Sequence, residues 1–128
     1  MKQEDKQLLL KDLCARLPYE VEVEIISCGQ EKLKPWVGKL YCKDLDCFIH
    51  DTSYKSVKPF LRRKSSMTNE ELIIYHSFCN YNYIFDYGEV YYDTPESLDY
   101  LNENHFDYRG LIPKGLAIEV TEENNPYK

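Results

Sequence analysis

The chain has 128 residues, 43% of them hydrophobic and 30% charged, which suits a single compact domain over residues 1–128 and leaves no room for two of ordinary size. A formal net charge of −6 disfavours bulk binding to duplex DNA or RNA. No run approaches the roughly 18 apolar residues of a membrane helix, and Leu8 to Leu10 lead straight into Lys11 and Asp12, the wrong flank for a signal peptide, so a cytoplasmic protein with no membrane association is expected.

Taken in chain order, residues 3–17 predict a helix, because Leu10, Leu13, Cys14 and Leu17 recur at helical spacing and Pro18 stops the run. Val21 to Ile25 alternate apolar with acidic residues and read as a strand that ends near Gly29, followed by a basic turn over 30–35. A second strand is expected over 36–42, bent or bulged at Gly38. A third over 45–51 carries Phe48, Ile49 and His50, and the short connection at Lys43 and Asp44 favours antiparallel neighbours. Ser56 to Lys64 reads as a short strand and a basic loop, with Pro59 opposing a helix.

Thr68 and Glu71 form a capping-box pattern that launches a second helix to about residue 80, with Leu72, Tyr75, His76 and Cys79 along one stripe. Residues 81–93 are dense in Tyr, Phe and Asp, with a turn at Asp86 to Gly88 and a weak strand pattern at Tyr91 and Tyr92. Thr94 and Pro95 cap a third helix whose packing stripe is Leu98, Leu101 and His105. Gly110, Pro113 and Gly115 articulate a loop before a terminal strand over 116–120, and approximately residues 121–128 read as solvated and prone to fray. The sum is an α+β fold: a small, mainly antiparallel sheet with about three packed helices.

Residues 30–64 carry nine Lys/Arg and four acids, whereas residues 65–128 carry three and twelve, so the chain is polarised along its length. Its twelve tyrosines are amphipathic rings suited to a domain periphery or a protein interface. The five cysteines are scattered, and Cys42 and Cys47 have no matching second pair, so reduced thiols are expected, with neither a metal nor a cofactor.

Asp99, Glu103, His105 and Asp107 are the densest set of candidate catalytic groups, since carboxylates with an imidazole can move protons or hold a divalent ion. Helix solvation, capping and a surface contact of Asp107 with Arg109 account for the same residues without a substrate. His50 with Asp51, and His76 with Cys79, lack the context of a recognised nucleophile. Lys58, Arg62, Arg63 and Lys64 can meet phosphate or an acidic surface, but no glycine-rich cradle accompanies them, and complementing the acidic C-terminal half is the favoured role. Tyr81, Tyr83, Tyr91 and Tyr92 can stack on a partner, while the neighbouring acids oppose a nucleic-acid channel.

Three segments together, LLKDLCARLP from Leu9 to Pro18, VKPFL from Val57 to Leu61 with SSMT from Ser65 to Thr68, and HFDYRGLIPKGLAIE from His105 to Glu119, resemble a family of small uncharacterised proteins of gut Bacteroidales and their phages or mobile elements. Lys64 departs from that family's pattern, which often places Pro and an apolar residue between Arg62 and the serines. The resemblance implies a bacterial or phage setting and no established activity. Near the end of the chain, Phe106 and Tyr108 are suited to anchor a turn and Arg109 to pair across it.

The expected function is a small protein-binding or regulatory domain with a protein partner yet to be identified, homo-oligomerisation being open. Its binding residues would be the basic set, the four tyrosines, Tyr108 and Arg109. The alternatives are a metal-assisted hydrolase or nucleotide-processing enzyme built on Asp99, Glu103, His105 and Asp107, and a nonenzymatic nucleotide or nucleic-acid binder.

Overall fold

The computed structural model describes residues 1–30, 32–50 and 54–128. Helix α1, Gln3–Arg16, buries Leu9, Asp12, Leu13 and Arg16, so its inner face is rotated from the expected stripe and Cys14 is exposed. Charge neutralisation permits that rotation: Asp12 and Arg16 sit one helical turn apart and form an ion pair at 2.8 Å with both side chains out of water. A 3-10 turn over Leu17–Tyr19 contains Pro18, and Glu20 in the left-handed region (φ 56°) turns the chain into strand β1, Glu22–Ser27.

Strand β2, Trp36–Lys39, pairs antiparallel with β1 and is regular at Gly38, which faces Val23. A Cβ there would lie 2.5 Å from the half-exposed Trp36 ring, which lies over the backbone two residues on, so a larger residue would displace that ring. The expected third strand over 45–51 is instead helix α2, Cys42–Ile49, and Asp51 lies outside the described residues. Leu45 and Phe48, three apart, share the buried face, and the Asp44 carboxylate accepts the Tyr41 N–H at 2.9 Å, capping the first turn.

Strand β3, Tyr54–Arg63, is ten residues long rather than short and pairs antiparallel with β1 through Val23 opposite Pro59 and Ile25 opposite Val57. Two short segments, β6 (Phe106–Asp107) and β7 (Ile118–Glu119), add parallel to β3. The main sheet therefore runs β2-β1-β3-β6, with β7 also on β3, and its long pairings are antiparallel. Helix α3, Asn69–Phe78, begins at the expected capping box, in which Glu71 N–H donates to Thr68 at 3.1 Å and Thr68 N–H donates back to the Glu71 carboxylate at 3.0 Å. Strands β4, Asn80–Ile84, and β5, Gly88–Tyr92, form a separate two-stranded hairpin, followed by helix α4, Pro95–Glu103.

Among the described residues the architecture is α+β with four α-helices, one more than expected because α2 replaces a strand. Leu9, Leu13, Val23, Ile25, Phe48 and Leu61 belong to a core between α1, α2 and the sheet, while Tyr75, Leu101 and Phe106 form a second cluster that ties α3 and α4 to β6. Tyr127 closes the sheet from the far end of the chain. Its hydroxyl accepts the Glu22 N–H at 3.1 Å and donates to the Phe60 carbonyl at 2.7 Å, bridging the rung next to Pro59. No helix among the described residues is long and apolar enough to cross a membrane.

Candidate functional site

The acidic and histidine candidates come together only in part: Glu103 and His105 line one hollow with Arg62, whereas Asp99 and Asp107 are not among its walls. Asp99 is exposed on α4 beside Tyr19, whose hydroxyl pKa is raised by burial and by that carboxylate. Glu103 is exposed one turn further on. The Asp107 carboxylate accepts the backbone N–H of Leu111 at 3.0 Å and of Ile112 at 2.9 Å, so it organises the loop that follows. His105 adopts φ 62° and stacks on Tyr127 with ring centroids 3.9 Å apart. Burial, followed by the charges of Arg16 and Arg62, lowers its pKa to about 4. Among the described residues no group of three His, Cys, Asp or Glu is placed to hold a metal ion.

The basic residues are largely engaged within the chain. Arg62 makes a two-pronged contact with Glu71 at 2.8 and 2.7 Å and lies over the Phe106 ring, and the guanidinium holds the Glu71 carboxyl down at about 2. Arg63 pairs with Glu119 at 2.6 Å, and Lys64 donates to the Tyr75 hydroxyl at 3.2 Å. Arg109 reaches Asp12 at 2.8 Å over the Tyr108 ring, whose hydroxyl donates to Asn102. Lys58 lies on β3 opposite Glu24 of β1. His50 is 3.3 Å from Asp46 on the exposed side of α2.

The four predicted tyrosines, by contrast, are brought together on the hairpin. Tyr81 pairs across from Tyr91, and Tyr83 from Glu89, so the three rings share one face, with Tyr92 on the other. The base of the hairpin is clamped. The Tyr75 hydroxyl, from the buried side of α3, donates to Asp93, Ser97 donates to the same carboxylate at 3.0 Å, and the Thr94 hydroxyl donates to the Phe78 carbonyl at 2.6 Å. Tyr91 also stacks on His76 of α3, centroids 3.7 Å apart and planes 3° from parallel.

Beyond this clamp the apolar side chains face water. Between Leu72 and Tyr92, eleven large hydrophobic residues are exposed, led by Phe85 (88%), Tyr87 (80%), and Ile73 and Tyr83 (69% each). Sequence reasoning missed Ile73, Ile74, Phe78, Ile84, Phe85 and Tyr87. A signal was present in the three consecutive apolar residues Leu72 to Ile74, since a helix cannot turn all three toward one core. The surface is also one-signed: residues 65–108 contain nine acids and no Lys or Arg.

A concave region of about 410 Å³ lies where β1 and β2 meet α2, walled by Trp36, Tyr41 and Tyr54 with Lys43 among its lining. The Tyr54 hydroxyl donates to Asp44 at 2.8 Å, and burial together with that carboxylate pushes its pKa up to about 12. No protein-family model, curated protein or solved structure matches the chain.

Proposed function

We propose that the chain is a small protein-binding or regulatory domain of the cytoplasm, in the bacterial or phage setting that its resemblance implies, and that α3 with the β4–β5 hairpin is its docking surface. The observation that carries the reading is the eleven large apolar side chains exposed between Leu72 and Tyr92, four on α3 and seven on the hairpin clamped to it at its base. Leaving a side chain such as Phe85 or Tyr87 in water forgoes about 1.5–3 kcal/mol that a partner would recover. Tyrosine and phenylalanine are the residues that interface centres favour, and a fixed base lowers the ordering cost of binding. Five free cysteines agree with a reducing compartment.

The test compares the native chain with the variant Phe85→Ser/Tyr87→Ser as bait in host lysate. A partner held by the native chain and lost by the variant, with the far-UV spectrum unchanged, supports the reading. Failure to hold any partner, a second copy of the chain included, or equal retention by both baits, overturns it.

A further inference from the structure

We infer that the partner of the hairpin surface is a second copy of this chain, docked head to tail, with the acidic aromatic hairpin of one copy meeting the basic β2 edge of the next. This rests on the docking role of the hairpin given above and names its occupant.

Two surfaces are left over by the fold, and they are complementary. The first is the hairpin, a sheet of two strands carrying Asp86 and Glu89 among its exposed rings, with Asp93 at its end. The second is β2, which ends the main sheet and has no described strand paired on its outer side. Around β2, Leu33, Trp36 and Val37 are about half exposed or more, and Lys32, Lys34, Lys39 and Lys43 are exposed. Among the described residues, Lys39 makes a loose, water-exposed pair with Glu20 at 3.4 Å. Each surface thus combines strand edge, apolar anchors and charge, and the charges are opposite.

Charge also selects among the ways two copies could meet. Hairpin against hairpin would bring Asp86 and Glu89 toward the same acids of the other copy, and β2 against β2 would oppose lysines. A lysine-guarded edge rejects its own kind and admits an acidic strand. Geometry excludes closure within one chain, because β2 ends the sheet on one side while α3 and its hairpin are tied to β6 at the other through Tyr75, Leu101 and Phe106. The contact is consequently heterologous, and copies add into a ring or an open chain.

The test is sedimentation of the purified full chain over a wide concentration range, with two charge-reversed variants, Lys34→Glu/Lys39→Glu at the edge and Asp86→Lys/Glu89→Lys on the hairpin. The native chain is expected to self-associate, and each variant alone to lose affinity on the order of 10–100-fold. Mixing the two variants restores association, because a native hairpin then meets a native edge, and so does the variant with all four charges reversed. Trp36 is the only tryptophan and lies on β2, so its emission shifts to the blue as the native chain associates. A native chain that stays monomeric overturns the inference, as does an edge variant that associates like the native chain, the signature of hairpin-to-hairpin pairing. If the native chain is monomeric yet lysate still yields a partner lost with Phe85→Ser/Tyr87→Ser, only the head-to-tail contact falls. If lysate yields no such partner either, the docking role falls with it.

Discussion

Asp12 and Arg16 are charged residues on the buried face of α1, and Arg109 reaches the second oxygen of the same carboxylate. A buried charge is tolerable while paired and costly when orphaned, so Asp12→Ala, which strands Arg16, is expected to cost about 3–5 kcal/mol. The double replacement Asp12→Leu/Arg16→Met should cost less than Asp12→Ala alone, and urea unfolding of the two variants measures the difference. The spacing of this pair is plain in the sequence, but charge alone points it to water, because the helical period does not say which face is inner. His105 gives a second residue-level outcome. Its folded pKa of about 4 lies below the ordinary 6.5, and its buried Nδ1 has no hydrogen-bond partner among the described residues, so protonation is disfavoured in the folded state. The stabilising effect is complete above pH 6.5 and is lost as pH falls toward about 4, on the order of 2–3 kcal/mol in all. Glu71, depressed to about 2, loses its contribution only below its ordinary value of 4.5. Between pH 6.5 and 4.5 Glu22, raised by burial, acts in the opposite sense, so the comparison of variants reads His105: in thermal melts His105→Asn, which keeps a residue tolerant of positive φ, should flatten the fall in melting temperature that His105 contributes in the native chain.

Among the elements, those with a terminal signal were legible: the capping box at Thr68 and Glu71, and Thr94 with Pro95, open α3 and α4 where their sequence places them. Helix α2 was not, because a short apolar run such as Leu45 to Ile49 satisfies either period, and the cap at Asp44 that decides it resembles a turn. The hairpin was half legible, since its turn at Asp86 to Gly88 was evident but aromatic residues on both faces erase the alternation that marks a strand. For the same reason the four tyrosines could be named as binding residues while the exposed apolar residues around them went unseen. Sheet closure by Tyr127 had no local signal at all, its partners Glu22 and Phe60 lying far away in the chain. Tyr127→Phe removes that bridge and leaves a backbone donor and acceptor without it, at a cost of about 1–3 kcal/mol by urea unfolding. Faster amide exchange should centre on the Glu22 N–H, which loses its acceptor.

At the scale of the whole molecule, the polarised charge of the sequence is partly spent inside the fold and partly left on opposite sides of it. Arg62 with Glu71 and Arg63 with Glu119 join the basic and acidic halves, which accounts for most of the basic triplet. What remains is a cluster of lysines around β2 and an acidic, aromatic surface from α3 through the hairpin. Complementary exposed charges attract over a distance that salt sets, about 10 Å at 0.1 M and about 3 Å at 1 M, whereas apolar contact does not weaken with salt. Self-association through head-to-tail contact should therefore fall as sodium chloride rises across that range, and sedimentation at matched protein concentration reads it directly. Pairing through the apolar faces alone predicts the opposite, because like-charged acids would be brought together and salt would relieve their repulsion. The sign of the salt dependence thus decides between the two geometries without any substitution, while the fold, held by a largely apolar core, should melt at nearly the same temperature throughout.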